Sequence, residues 1–320
     1  MKSKLLYLSL LLAIGTHNTF AQTVAKHGAL QVDGTQLKDS AGKPIVLRGM
    51  SFGWHNFWPR FYTAGAVNWL NVDWGCTVIR AAMGVEPTNG FIENPEWSKE
   101  KIKIVVDAAI KEGIYVIIDW HSHNIRLKEA KLFFAEMAAT YGKYPNIIYE
   151  LFNEPDQESW QEVKEYSEEL IATIRAVDKN NVILVGCPHW DQDVNLPAAD
   201  PIKNVTNIMY TMHFYAATHK QYLRTRCDEA LAKGLPLFIS ESAGMEATGD
   251  GPLNEAEWNK WIEWAESKKI SWVTWSIADK EESCSILQKT ASSDGKWTDN
   301  DLKSSGLKTR ALIKKYSIVD

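Results

Sequence analysis

Eight short apolar runs alternate with amphipathic stretches along most of the chain. The runs are continuously apolar rather than alternating with polar residues, which is typical of parallel strands covered on both faces. We predict strands at residues 46–51, 77–83, 114–120, 147–152, 182–186, 208–213, 237–240 and 271–276. Because helix-like stretches separate these runs, the pattern indicates repeated strand–helix–strand units.

The stretches between the strands carry helical periodicity. Residues 98–111 place Ile102, Val105, Val106 and Ala109 on one stripe, and residues 160–177 show a similar pattern. Further helices are expected at 127–141, 222–232, 255–266 and 307–316. The α/β alternation therefore predicts a (β/α)8 TIM barrel. A doubly wound open sheet is the alternative, but no glycine-rich phosphate loop follows its first strand.

A β-hairpin is expected ahead of the barrel. Residues 29–32 and 36–38 flank Asp33-Gly34, a dipeptide that favours a tight hairpin turn. We predict that this hairpin caps the bottom of the barrel. Because no repeat, linker or second domain is visible, residues 22–320 are interpreted as a single catalytic domain.

The first 21 residues have the pattern of a secretory signal peptide. A basic start is followed by a short apolar core and by Ala21 at the expected cleavage point. A membrane anchor is the alternative, although the run is short for a bilayer span. We therefore predict a secreted or periplasmic protein without membrane attachment after cleavage. The net charge of −5 argues against binding to nucleic acid or anionic membranes.

Four cysteines, Cys76, Cys187, Cys227 and Cys284, are widely and irregularly spaced. Their even number permits disulfides in an exported protein, and buried free thiols are the alternative. No CxxC pair is present, so a structural zinc site is not expected. Tryptophan is the outlier in composition, with 14 residues. Tryptophans near strand ends would suit flat ligands such as pyranose rings.

Polar and aromatic residues collect at the predicted C-terminal ends of the strands. In a TIM barrel, the loops at that face build the active site. A charge on a buried strand is costly unless it is paired, so Arg80 is expected to face a carboxylate. The residues are Arg80, His121, Asn153, Glu154, His213, Tyr215, Glu241 and Trp275.

Glu154 and Glu241 suggest glycosidase chemistry, which needs two carboxyl groups with different pKa values. One must hold a proton for the leaving oxygen, so burial or a nearby negative charge should raise its pKa. The other must stay ionised to attack the sugar, and a nearby arginine would lower its pKa. Glu154 fits the acid and Glu241 the nucleophile. The distance between them decides between retention and inversion.

The chain resembles glycoside hydrolase family 5 of clan A, specifically its bacterial endo-β-1,4-glucanase (cellulase) branch. The resemblance runs from about residue 27 to residue 316. Its motifs are Leu47-Arg48-Gly49-Met50-Ser51, Ile79-Arg80-Ala81-Ala82-Met83, Ile117-Ile118-Asp119-Trp120-His121, Asn153-Glu154-Pro155, His213-Phe214-Tyr215-Ala216, Ser240-Glu241 and Thr274-Trp275-Ser276.

The resemblance implies a retaining enzyme that cleaves cellulose or related β-glucans by double displacement, with Glu154 as acid/base and Glu241 as nucleophile. It implies a monomer that needs no metal or cofactor. It also implies a set of contacts: Arg80 and Tyr215 to the nucleophile, His213 beside the acid/base, Asn153 and His121 to hydroxyls of the reacting sugar, Trp275 as its stacking platform, Trp190 stacking on the leaving-group side, and Lys280 and Glu282 bonding sugars on the non-reducing side.

Two segments depart from the family pattern. Ser242-Ala243-Gly244 follows Glu241, where the family usually has tryptophan or phenylalanine, and this is expected to alter packing behind Glu241. The loop at residues 52–58 also differs, so that Trp54, Phe57 or Trp58 could line a distal sugar subsite.

Three alternatives compete with this interpretation. His121-Ser122-His123 could begin a metal-dependent hydrolase site, but such a site would not explain Glu154 and Glu241. A non-catalytic sugar-binding barrel would be expected to lack one carboxylate. The same mechanism could act on β-mannan, xyloglucan, lichenan or xylan, and the sequence leaves endo or processive action open.

Overall fold

In the computed structural model, which describes residues 23–86 and 88–317, eight parallel strands close into a barrel. The predicted signal peptide lies outside the described residues. The barrel strands are β3 to β10, after a two-stranded antiparallel hairpin of β1 and β2. The strands are β1 Gln31–Asp33, β2 Gln36–Lys38, β3 Arg48–Phe52, β4 Val78–Gly84, β5 Tyr115–His121, β6 Ile147–Glu150, β7 Val182–Val185, β8 Ile208–Tyr215, β9 Leu237–Ala243 and β10 Trp272–Ile277.

Each predicted strand corresponds to one barrel strand, so the TIM-barrel prediction is confirmed. Three strand ends differ in a way that matters for the site. β8 and β9 extend further than predicted, because Phe214 and Tyr215 continue to pair with Ser242 and Ala243. β6 ends at Glu150, earlier than predicted. Tyr215 and Glu241 therefore lie within strands, whereas Asn153 and Glu154 lie in the loop after β6.

Helices surround the barrel, and all six predicted helices are present: the helix at 127–141 has the predicted ends, and the other five are shifted by one to three residues at one or both ends. The structure adds short helices that the sequence pattern did not predict, because segments of four to six residues show too little periodicity. The helices are α1 Thr23–His27, α2 Ala64–Trp69, α3 Pro95–Glu112, α4 Leu127–Tyr141, α5 Trp160–Arg175, α6 Pro188–Asp191, α7 Asn195–Ala199, α8 Gln221–Ala232, α9 Glu255–Lys268 and α10 Ser304–Ser317.

The hairpin lies against the N-terminal end of the barrel, as predicted. Leu30 and Leu37 pack into the cluster of side chains that fills the lower barrel. The Val32 N–H donates to Asn207 Oδ1 at 3.0 Å, just ahead of β8. The hairpin therefore excludes water from the end of the barrel opposite the candidate site.

The barrel interior changes from apolar to charged along the strand direction. Residues two apart on a strand share a face, so Val78 and Arg80 both point inward. In β5, Ile117 lies in the lower apolar cluster, while Asp119 and His121 lie above it. The lower layers of side chains form the apolar core, and the upper layers carry the charged and polar residues of the candidate site.

All four cysteines are buried and unpaired, which agrees with the free-thiol alternative. Within the described residues, no helix is long and apolar enough to cross a membrane.

Candidate active site

Arg80 stands at the centre of a buried ion-pair network at the C-terminal end of the barrel. Its guanidinium lies 2.6 Å from Glu150, 3.0 Å from Asp119 and 3.0 Å from Glu241. Burial alone would lower the pKa of Arg80, but the three carboxylates raise it above its ordinary value. Arg80 is therefore a fixed positive charge, and the expectation that it faces a carboxylate is met.

Glu241 is held at both carboxylate oxygens. Tyr215 Oη donates to Oε1 at 2.7 Å, and Arg80 Nη1 donates to Oε2 at 3.0 Å. The carboxylate is nearly buried. Because two donors on different elements fix both oxygens, the group has little freedom to rotate. This arrangement preorganises Glu241 to act on a bound ligand.

Glu154 faces a different set of partners. His213 Nδ1 lies 2.9 Å from its Oε1, and His123 Nδ1 lies 3.8 Å from its Oε2. Its side chain keeps 14% of its surface exposed. His213 is in turn held through Nε2 by Ser240 Oγ at 2.9 Å. One carboxylate oxygen of Glu154 therefore contacts a buried imidazole, and the side chain as a whole stays partly exposed.

The two carboxyl groups approach each other closely. An oxygen of Glu154, an oxygen of Glu241 and a ring nitrogen of His213 all lie within 4.8 Å of one another. Two carboxyls at this spacing can act on a single bond from opposite sides. The structure thus brings together two residues that are far apart in the sequence.

The pKa directions of the pair are opposite to the sequence expectation. Burial is the largest influence on the pKa of Glu154 and raises it, but the hydrogen bond and charge of His213, together with the charges of His123 and Arg80, leave the pKa lowered. Burial and the negative charge of Glu154 raise the pKa of Glu241, despite Arg80. The sequence argument did not include His213 as a stabiliser of ionised Glu154, which is the physical reason for the difference.

Asn153 and His121 lie beside this pair. Asn153 Oδ1 accepts a hydrogen bond from Arg80 at 2.7 Å. His121 Nδ1 lies 2.7 Å from Asp119, which leaves its other ring nitrogen for a ligand. The metal alternative placed His121 and His123 in one centre, but in the structure they contact different carboxylates, Asp119 and Glu154.

Aromatic rings line the same end of the barrel. Trp275 stacks on His121 with ring centroids 5.0 Å apart and parallel planes. Trp54 contacts the same imidazole edge-on, with ring centroids 4.3 Å apart. Trp190 keeps 39% of its surface exposed, and Phe57 is half-exposed. Exposed aromatic faces of this kind can stack on pyranose rings.

Lys280 and Glu282 lie in the loop after β10 and form an ion pair with each other. Lys280 is largely exposed, whereas Glu282 also accepts from Ser285 at 3.3 Å and lies 3.3 Å from Cys284. The two side chains thus form one charged pair in this loop.

Sequence reasoning missed four buried polar residues that support the site. Asp119 and Glu150 pair with Arg80, and Ser240 and Asp191 contact His213. A signal was present for the first two, because a carboxylate inside an otherwise apolar strand requires a buried partner.

Gly244, three residues after Glu241, lies against the ring of Trp258. A Cβ atom at this position would lie 2.1 Å from the ring of Trp258 on α9. Ser242 donates to the Val273 carbonyl at 2.8 Å. Trp258 of α9 therefore fills the space beside β9 that a side chain at position 244 would otherwise occupy.

Comparison with known proteins identifies relatives of the whole barrel. The family model described as Cellulase (glycosyl hydrolase family 5) matches residues 38–281. An endoglucanase from Clostridium saccharobutylicum is 43% identical over 94% of this chain and 68% of its own length. Endoglucanase A from Evansella cellulosilytica is 44% identical over 87% of this chain and 58% of its own length.

The fold is also similar to that of solved structures of other proteins. A Thermobifida fusca endoglucanase catalytic-domain variant, in complex with cellotetraose, is 33% identical with a TM-score of 0.86. The match covers 92% of this chain and 99% of that chain.

Proposed function

The chain belongs to glycosyl hydrolase family 5, the cellulase family, and on this premise we propose that it is a retaining endo-β-1,4-glucanase with Glu154 as acid/base and Glu241 as nucleophile. One observation carries the proposal. Oxygens of Glu154 and Glu241 lie within 4.8 Å of each other at the active end of the barrel. Retaining glycosidases have closely spaced carboxyls, whereas inverting enzymes need a wider gap for water.

The assignment of roles rests on hydrogen-bond donors. Tyr215 and Arg80 donate to different oxygens of Glu241, and such bonds stabilise an ionised, correctly oriented nucleophile. Glu154 has only one oxygen on His213, so the other is available to a leaving group. The pKa directions of the two carboxyl groups oppose these roles. A sugar that enters between the carboxyls displaces water and so disfavours the charge on Glu154, whereas Arg80 and Tyr215 continue to stabilise the charge on Glu241.

The reaction then proceeds in two balanced steps. In the first, Glu241 attacks the anomeric carbon, the glycosidic bond breaks, and the proton of Glu154 passes to the leaving oxygen. The ester removes the negative charge of Glu241, so the pKa of Glu154 falls. In the second step, Glu154 takes a proton from water, which attacks the same carbon and releases Glu241. Two inversions give net retention.

The proposed substrate is a β-1,4-glucan chain. Three features support this proposal: relatives named endoglucanase, the cellotetraose bound by the Thermobifida fusca variant, and the accessible ring of Trp190. Lichenan, xyloglucan, β-mannan and xylan remain alternatives, because they differ from cellulose in linkage or in single hydroxyls. In the proposed complex, Asn153 and His121 bond hydroxyls of the reacting sugar, Trp275 stacks on it, and Lys280 and Glu282 bind neighbouring sugars.

The test combines stereochemistry with substrate range. Hydrolysis of cellotetraose followed by NMR should yield the β-anomer first, and an initial α-anomer would refute retention. Carboxymethylcellulose, lichenan, glucomannan and xylan should be compared in parallel, with Glu154→Ala and Glu241→Ala as blanks. Fastest cleavage and a rapid fall in viscosity on carboxymethylcellulose are expected. Preference for xylan or glucomannan would replace the substrate assignment.

We also propose that the protein is exported as a single-domain monomer, after cleavage near Ala21. The sequence pattern of residues 1–21 supports export. N-terminal sequencing and light scattering of the exported protein test this proposal. A retained leader or a dimeric mass would contradict it.

A further inference from the structure

A buried carboxyl group, Asp191, lies behind the candidate acid/base. Its Oδ1 accepts a hydrogen bond from the Cys187 N–H, and its Oδ2 lies 3.3 Å from His213 Nε2. The opposite ring nitrogen, Nδ1, lies 2.9 Å from Glu154 Oε1. Asp191 and the His213 side chain are almost completely buried. One imidazole therefore lies between the two carboxyl groups, and Asp191, His213 and Glu154 together are called the relay. Ser240 Oγ, 2.9 Å from His213 Nε2, contacts the same ring nitrogen.

The backbone that carries Asp191 is strained. His189, Trp190 and Asp191 have φ angles of 59°, 53° and 59°, three consecutive residues in the left-handed region. For residues other than glycine this conformation costs about 1–2 kcal/mol each, so the surroundings must hold it. The Trp190 N–H donates to the Pro155 carbonyl at 2.9 Å, and the Asp191 N–H to the Cys187 carbonyl at 3.1 Å. The segment is thus tied to the residue after Glu154.

We propose that Asp191 is a positioning residue that acts through His213: it holds the imidazole against Glu154, controls whether that ring is charged, and so sets the upper pH limit of catalysis. The inference rests on the proposed function, because it takes Glu154 as the acid/base.

Ionisation of Asp191 changes the charge state of both His213 and Glu154. Burial raises the pKa of Asp191 to about 8. Burial lowers the pKa of His213, but Asp191 is the strongest of the groups that raise it. When Asp191 loses its proton to water, His213 becomes more basic, stabilises ionised Glu154 more strongly and so lowers the pKa of Glu154 further. Ionised Glu154 cannot protonate a leaving group, so activity falls as the pH rises.

Direct repulsion between Asp191 and Glu154 acts in the opposite direction on Glu154. This repulsion acts across the width of the imidazole, whereas His213 contacts both carboxyl groups. The effect of Asp191 on the pKa of Glu154 that passes through His213 is therefore larger than the direct repulsion. Other ionisable groups face the relay from neighbouring strands and loops, and they stay the same when Asp191 is replaced. These groups are Arg80, Asp119, His121, His123, Glu150, Cys187, His219 and Glu241.

The test is the pH profile of Asp191→Asn. Asparagine has the same size and still accepts the Cys187 N–H, but it cannot ionise. The alkaline limb of kcat/KM on cellotetraose should move to higher pH by about half a unit or more, the size expected for one lost charge acting through a neighbour. The acidic limb and KM should stay near wild type.

Asp193→Asn is the matched control. Asp193 lies two residues further along the same loop, is 28% exposed, and contacts Arg226 and His189 rather than His213. The control should leave the alkaline limb in place. If Asp191→Asn does not fold, Asp191→Ser is used instead, because its hydroxyl can also accept the Cys187 N–H and cannot ionise under these conditions.

An unmoved alkaline limb in the folded Asp191 variant would overturn the inference, as would an equal shift in Asp193→Asn. Failure of the proposed function gives a different result. If Glu154 is the acid/base, Glu154→Gln abolishes the alkaline limb on substrates with good leaving groups. A limb that persists in Glu154→Gln would refute the role of Glu154. A limb that depends on Glu154 but not on Asp191 would refute only the relay.

Discussion

The hydrogen bond from Tyr215 to Glu241 can be removed with little change in shape. Tyr215→Phe deletes one hydroxyl that donates to Glu241 Oε1 at 2.7 Å, and it leaves Arg80 on the other oxygen. The ring itself keeps its packing against the aromatic and apolar cluster around Trp275. The variant therefore isolates one contact to the proposed nucleophile.

The expected loss follows from the type of bond. A hydrogen bond to a charged group contributes about 1.5–3 kcal/mol, so kcat should fall about 10- to 100-fold. The bond also lowers the pKa of Glu241, against the raising effects of burial and Glu154. Its removal raises that pKa further. Because Glu241 must be ionised to attack, the acidic limb of kcat/KM should move to higher pH.

The assay is steady-state hydrolysis of cellotetraose across pH, with Tyr149→Phe as the control. Tyr149 makes the same kind of bond, from Oη to Asp178 at 2.9 Å, outside the site. The control should lose stability but keep the wild-type pH profile. An unmoved acidic limb in Tyr215→Phe, with a loss below about threefold, would refute the reasoning.

Four further predictions follow from the site and its supports. Glu154→Ala should slow cellotetraose hydrolysis by about 10²- to 10⁴-fold yet spare aryl substrates with good leaving groups; equal loss on both, measured by kcat, would count against its role as an acid. Glu241→Ala should abolish turnover, and added azide should then yield a glycosyl azide of inverted configuration, identified by NMR; a product of retained configuration would exclude it as nucleophile. Trp190→Ala should weaken cellotetraose binding about 2- to 10-fold by calorimetry, from about 0.5–1.5 kcal/mol of lost aromatic contact, and leave the alkaline limb unmoved; a shifted limb would mean that its role is misplaced. Gly244→Ala should destabilise the fold by about 1–3 kcal/mol in urea titrations, because the added methyl overlaps the Trp258 ring; unchanged stability would contradict that packing.

The barrel could be predicted from the sequence because its strands are buried on both faces. Runs such as residues 114–120 leave little choice but a covered parallel strand, and the helices between them carry clear periodicity. The short helices α6 and α7 could not be predicted. Their conformation depends on tertiary contacts, such as the bond from Trp190 to Pro155.

The catalytic candidates were visible because strand ends collect function in this architecture. Their partners were less visible. Asp119 and Glu150 lie in strands whose other residues are mostly apolar. Only the closed barrel shows that both carboxylates form ion pairs with Arg80. The effect of His213 on the pKa of Glu154 likewise requires a distance that sequence patterns do not contain.

Covalent labelling identifies which of the two carboxyl groups forms the bond to the sugar. A 2-deoxy-2-fluoro cellobioside with a good leaving group should form a stable glycosyl-enzyme, because the fluorine slows both steps while the good leaving group keeps the first step fast. Mass spectrometry of the digested protein should find the sugar esterified to Glu241, with Arg80→Lys labelled more slowly. A label on Glu154, or an active enzyme that acquires no label and releases inverted product, would contradict the account.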